Sequence, residues 1–219
     1  MMKLENNLVH QLNAINAVNG VFNGVEFIPV VDKNKCSRIN VDDPTIKKNI
    51  KEVQSGRYYI DDYKLPEYYH SNYKDSDYLN IDIKMETGTG KTYVYTRTMF
   101  ELHKNYGINK FIVLVPSVAI KEGAKQFLTS NYMKSDLQSL YDGTILRLHV
   151  LDSQKNNKGR KMFPSSIVDF ANGTDIGRNR IDVLLINSGM LTSRATMGRD
   201  DYDQTLLGSY TQPYETLRE

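Results

Sequence analysis

The sequence predicts an α/β chain built on a parallel sheet, and three observations carry that expectation. Two runs, Phe111–Val115 and Ile181–Ile186, are almost continuously apolar, as strands covered on both faces are. Segments with apolar residues every three or four positions stand between the strand-like ones, so strand and helix alternate. A glycine-rich turn, GTG at 88–90, joins a strand-like segment to a helix-like one. Alternation of this kind favours parallel strands linked by helical crossovers.

Residues 6–23 read as an amphipathic helix, with Leu8, Leu12, Ile15, Val18 and Phe22 on one face and Gly24 as its stop. An apolar stretch, Val25 to Val31, leads into a polar loop holding Cys36. Asp43-Pro44 reads as an N-cap followed by proline at the first helical position. Ile46, Ile50 and Val53 mark the buried face of that helix, and Gly56 closes it. Residues 57–80 hold seven tyrosines, and acids outnumber bases there five to three. Aromatic faces stack on bases, but an acidic setting repels phosphate, so structural packing is the favoured reading of this segment.

From residue 81 the pattern is regular. Ile81, Ile83 and Met85 alternate as a strand, Tyr93 to Tyr106 reads as a helix ended by Gly107, and Val118 to about Asn131 reads as a second helix. Ile145 to Leu151 is a further strand, Pro164 to Asn172 a short helix, and the tail from Ser188 is polar. The chain shows no internal repeat.

With 28 Lys and Arg against 26 Asp and Glu, the 219 residues carry a formal charge of +2. A charge so near zero does not advertise nucleic-acid binding, so any such role must rest on local patches. Cys36 is the only cysteine, which rules out an internal disulfide framework and fits a reducing cytosol. No apolar run is long enough for a membrane helix. His10, His70, His103, His149 and Cys36 show no metal-ligand spacing, and His103 and His149 read as structural.

The segment that carries chemistry is Met85-Glu86-Thr87-Gly88-Thr89-Gly90-Lys91-Thr92. Lying between strand and helix patterns, it has the context of a phosphate-binding loop. Gly88 and Gly90 permit positive φ and bare approach of main-chain N–H groups to an oxyanion. Those donors and the positive end of the following helix would cradle a β-phosphate. Lys91 would set a compact positive charge on the β and γ oxygens, and Thr92 would offer its hydroxyl to Mg²⁺. Met85 stands where the general pattern has Gly or Ala.

Such a loop needs an acid at a neighbouring strand's end to hold Mg²⁺ and polarise water. Asp152 follows the 145–151 run, but its successor is Ser153; Asp182 lies at the start of its strand, the wrong end. The acid is therefore expected beyond Glu219, with the chain a fragment. The basic run Lys155, Lys158, Arg160 and Lys161, and also Arg194 and Arg199, read as solvated surface.

The stretch from Asp82 through Gly123, with METGTGKT and FIVLVPSVAIKEG, resembles the restriction (Res) subunit of type III restriction-modification enzymes, which belong to the superfamily 2 helicase-like ATPases. The resemblance implies that METGTGKT is motif I, with Met85 typical of the relatives. Pro116 and Ser117 would form motif Ia, touching a nucleic-acid backbone. His10-Gln11, followed by Ala14, Ile15 and Val18, resembles the adenine-reading segment that precedes motif I, with Gln11 the base reader. The implied fold is a RecA-like parallel sheet flanked by helices, an incomplete first helicase lobe over 81–219. Residues 1–80 would be an extension carrying the adenine-reading helix and the tyrosine-rich segment.

The resemblance further implies ATP and Mg²⁺ as ligands. Gln11, Thr87, Gly88, Thr89, Gly90, Lys91 and Thr92 would bind the nucleotide, Lys91 and Thr92 acting in catalysis. It implies double-stranded DNA and a modification (methyltransferase) subunit as partners, a cytoplasmic location, and hydrolysis coupled to translocation and cleavage in the intact enzyme. The isolated fragment would bind nucleotide without turnover. The alternatives are a type I motor subunit or stand-alone superfamily 2 helicase, a non-hydrolysing DNA- or partner-binding module, and a small P-loop kinase, which the lack of an Arg-rich lid disfavours.

Overall fold

The computed structural model describes residues 8–28, 38–61, 79–152, 164–172 and 179–193. The chain divides into two compact units, Met1–Val30 with Ser37–Gly107, and Val31–Cys36 with Ile108–Glu219. The basic run at 155–161, Arg194, Arg199, Cys36, His70 and the tyrosines at 63–78 lie outside the described residues.

The first unit is mainly helical. Helix α1 (Val9–Val21) packs on α2 (Pro44–Gln54) and α3 (Lys91–Tyr106). The predicted cap of α2 is present: Asp43 Oδ1 accepts from the Thr45 amide at 2.8 Å, with Pro44 at the first helical position. Hydrogen bonding from Thr45, its side chain first and its amide second, holds the Asp43 carboxyl below its ordinary value. Val18, Val21, Phe22, Val25 and Ile46 form the core of the unit, joined by Phe27, Leu102 and Tyr106. The Phe27 and Tyr106 rings stack at 4.7 Å. The strands β1 (Phe27–Ile28) and β2 (Arg38–Ile39) form a two-residue antiparallel ladder within the stretch expected to be apolar chain and loop. Tyr58 serves packing: its ring lies against Gly20, and its hydroxyl accepts from Asn23 Nδ2 at 3.1 Å.

One expectation fails here. Residues 81–85 form no strand, and Ile81 and Ile83 are exposed. Alternating apolar residues favour an extended segment, but a strand exists only where a neighbour completes its hydrogen bonds, and 81–85 has no ladder partner among the described residues.

The second unit holds a three-stranded parallel sheet in the order β3 (Lys110–Val115), β5 (Arg180–Asn187), β4 (Ile145–Val150). Helices α4 (Val118–Thr129) and α5 (Asn131–Leu140) link β3 to β4, and α6 (Ser165–Ala171) links β4 to β5. On one face Val115, Leu185 and Ala124 pack together with Val113 and Leu148; on the other, Ile167 and Phe170 of α6 cover Leu151, Leu184 and Ile186. Central β5 is buried along Ile181–Ile186, as its apolar run predicts. In β3 the prediction of burial on both faces is wrong. Among the described residues it is a sheet edge, and Ile112 and Leu114 are 48% and 49% exposed: they register beside Leu184 and Ile186, which Ile167 and Phe170 of α6 cover, while α6 reaches β3 at Lys110, whose Nζ donates to the Ala171 carbonyl. The short helix α7 (Ser188–Leu191) follows β5 directly, capped by Asn187.

Candidate functional site

In the first unit the glycine turn opens α3. Gly88 and Gly90 take φ of +83° and +87°, the left-handed region that glycine enters without a steric penalty. Gly90 is the N-cap of α3 and has no side chain to accept from the first-turn amides. Those amides are among the four that no intrahelical carbonyl can satisfy, and they point at the helix's positive end. The space beside Gly88 is open: a Cβ there would meet nothing within 4 Å.

Lys91 is exposed, and its Nζ donates to the Glu86 carbonyl at 2.5 Å; the Thr89 hydroxyl donates to the same carbonyl at 2.7 Å. Among the described residues no carboxylate pairs with Lys91, so its ammonium charge is uncompensated. Thr92 lies in the first turn of α3. Tyr95, one turn on, has its phenol pushed up by burial, with the Thr92 hydroxyl acting in the opposite direction.

Helix α1 meets this loop. The Gln11 Nε2 donates to the Thr89 carbonyl at 3.0 Å, and His10 Nε2 contacts the same oxygen at 3.1 Å. A carbonyl only accepts, so His10 must carry its hydrogen on Nε2. Gln11 is 6% exposed, yet its Oε1 has no hydrogen-bond partner among the described residues. A buried amide oxygen without a donor is costly, and the matching group on a ligand is an N–H donor such as an exocyclic amine.

In the second unit Pro116 and Ser117 join the end of β3 to the start of α4. Ser117 is the N-cap, its Oγ accepting from the Ile120 amide at 3.3 Å; as a hydroxyl it also carries one donor hydrogen. Ser188 Oγ donates to the Pro116 carbonyl at 3.3 Å.

The model of the family described as "Type III restriction enzyme, res subunit" matches residues 43–203. The chain belongs to that family. Three curated Res subunits of type III restriction-modification enzymes are similar to it. That of StyLTI from Salmonella typhimurium is 50% identical over 144 residues, 65% of this chain and 14% of the relative. That of EcoP15I from Escherichia coli is 38% identical over 98% of the chain and 22% of the relative. That of EcoPI from Escherichia phage P1 is 37% identical over 97% and 22%. The chain thus spans between 14% and 22% of the length of these relatives. The parallel sheet with helices on both faces agrees with the RecA-like lobe expected of a Res subunit.

The predicted residues divide between the units. Gln11, Thr89, Gly90 and Lys91 are brought together, with Thr87, Gly88 and Thr92 beside them in the same loop, whereas Pro116 and Ser117 belong to the other unit. Asp152 is not a free metal-holding acid: its Oδ1 lies 2.6 Å from Lys121 Nζ, which neutralises it. Asp182 is buried at the opposite end of its strand from the ligand-binding edge, paired with His149 and Arg180. His149 is structural, as expected. Sequence reasoning took Glu86 and Thr89 as loop residues that matter through their main chain, and both carbonyls are acceptors in the site. It missed Lys121, whose acidic partner lies 31 residues away.

Proposed function

We propose that the chain binds ATP with Mg²⁺ through residues 86–92 and Gln11, and that the intact protein couples hydrolysis to translocation on double-stranded DNA and to cleavage. In this reading it works with a modification (methyltransferase) subunit in the cytoplasm. Residues 1–80 serve as the base-reading extension and 81–219 as the first lobe. No helix among the described residues is long and apolar enough to cross a membrane. The observation that carries the proposal is the meeting of Gln11 with the glycine turn at the Thr89 carbonyl, two residues before Lys91.

The loop fits a polyphosphate in three respects. Its glycines leave the first amides of α3 bare. Among the described residues Lys91 is held only by the Glu86 carbonyl, an acceptor that anionic phosphate oxygens outcompete because charge-assisted bonds are stronger. The free Oε1 of Gln11 suits the adenine N6 amine. Bound Mg²⁺ would neutralise phosphate charge, and the Thr92 hydroxyl is the side chain placed to hold it. Pro116 and Ser117 would contact the DNA backbone through the Ser117 hydroxyl and the first-turn amides of α4. The family match favours this reading over a type I motor, a stand-alone helicase, a binding module or a small kinase.

The test is isothermal titration with Mg-ATP. Wild type should bind, and Lys91→Ala should lose about tenfold or more in affinity. Equal affinity in the two proteins refutes the phosphate-loop assignment.

A further inference from the structure

Lys121 is a buried cation in an unfavourable place. It is 3% exposed, four residues after the N-cap of α4, where the helix's positive end disfavours it. Lysine is almost never so buried unless paired. Here Nζ donates to the Leu151 carbonyl at 2.7 Å and to Asp152 Oδ1 at 2.6 Å, while the Asp152 side chain stays 61% exposed. An apolar side chain would fill the site without the cost of removing an ammonium from water. What the ammonium achieves is a tether. The main chain of Lys121 bonds back to Ser117, its amide donating to the Ser117 carbonyl at 3.0 Å, while its side chain grips the end of β4. Ser188 holds Pro116 from the end of β5. The three strand ends are thereby joined at the carboxyl edge of the sheet, where open α/β sheets bind ligands.

We propose that Lys121, with Asp152 as its counter-ion, is a positioning residue for the nucleic-acid contact at Pro116-Ser117. It fixes the first turn of α4 against β4 so that the Ser117 hydroxyl and the adjacent amides meet phosphates without reordering. This rests on the reading of Pro116-Ser117 as a DNA-backbone contact. Lys121 itself touches no phosphate, because its ammonium is buried and donates to Leu151 and Asp152.

The test is fluorescence anisotropy on the intact protein with a labelled duplex oligonucleotide across a KCl series, for Ser117→Ala, Lys121→Met and Asp152→Ala. Lys121→Met should bind roughly tenfold more weakly, as loss of one coupling contact does, with the salt slope of wild type. A direct phosphate contact would instead lower that slope by about 0.9, and this result, or wild-type affinity, overturns the proposal. Should Lys121→Met fail to fold, Asp152→Ala carries the test, since its carboxylate is mostly in solvent. Loss of a negative charge alone would tighten DNA binding, whereas loss of the tether should weaken it about threefold, within the range of one exposed ion pair. Tighter binding by Asp152→Ala overturns the proposal. If Ser117→Ala binds like wild type, the DNA-contact reading itself fails; if only Ser117→Ala is weak, that reading stands and the role of Lys121 falls.

Discussion

Gln11 and Gly90 leave no room for a side chain between them: a Cβ on Gly90 would lie 2.5 Å from Gln11 Nε2. The glycine is thus required twice, by its φ of +87° and by the amide against it. Gly90→Ala must adopt a left-handed conformation, at about 1–2 kcal/mol, and must also push Gln11 off the Thr89 carbonyl. Gly88→Ala meets the conformational cost in open space. The expected outcome is that Gly90→Ala loses more Mg-ATP affinity than Gly88→Ala, by about tenfold. Calorimetric titration of both variants checks it, and equal losses would show that the contact with Gln11 is irrelevant.

Base selectivity isolates the other half of the Gln11 amide. Its free Oε1 matches the adenine N6 donor, whereas guanine presents an acceptor, O6, at that position. Wild type should therefore prefer ATP to GTP. Gln11→Ala should cost ATP affinity about 1–2 kcal/mol, in the range of a hydrogen bond to a buried polar group, and change GTP little. A competition assay with a fluorescent nucleotide measures the ratio. An unchanged ATP/GTP ratio in the variant removes Gln11 from base reading.

A stability prediction comes from the same helix. At Gly20 a Cβ would approach three atoms of the Tyr58 ring at 2.6–2.9 Å. Alanine in a helix interior gains roughly 1 kcal/mol over glycine, but overpacking of this kind costs about 1–3 kcal/mol. Gly20→Ala should destabilise wild type yet stabilise a Tyr58→Ala background. Urea unfolding of the four proteins in a double-mutant cycle reads the sign change, and a gain in both backgrounds would contradict the close contact.

What the sequence made legible follows local chemistry. Asp43-Pro44 announced α2 because cap and proline act within one turn, and central β5 announced itself because burial on both faces demands an apolar run. Helix α5 was not announced. Ser130 is at once the C-cap of α4 and the N-cap of α5, so no breaker separates them, and only Met133 and Leu137 mark the buried face. The two-residue strands β1 and β2 are shorter than any period. Alternation at 81–85 predicted a face but not a partner. At the site, the glycines and Lys91 were visible through a fixed spacing. The pairing of Lys121 with Asp152 spans 31 residues and depends on where two strand ends lie.

The last prediction concerns acid stability. Asp182 is buried on β5, where His149 Nε2 lies 2.9 Å from Oδ1 and Arg180 Nη2 lies 3.0 Å from Oδ2. Burial alone would raise its carboxyl, but the His149 hydrogen bond and the Arg180 charge outweigh it and hold it below the ordinary value. A carboxyl depressed in the folded state binds protons less readily there than in the unfolded chain. Its contribution is therefore complete above the unfolded value of about 3.9, and it is lost as pH falls through the lower, folded value. Asp182→Asn leaves the Arg180 guanidinium without its counter-ion and takes the carboxylate away from His149, and should cost about 3 kcal/mol at neutral pH. The penalty relative to wild type should begin to shrink below about pH 4, where the unfolded wild-type chain binds a proton that the folded carboxylate does not. Thermal melts of both proteins from pH 7 to pH 3 check this, and a penalty that stays constant over that range would show that the Asp182 charge contributes nothing.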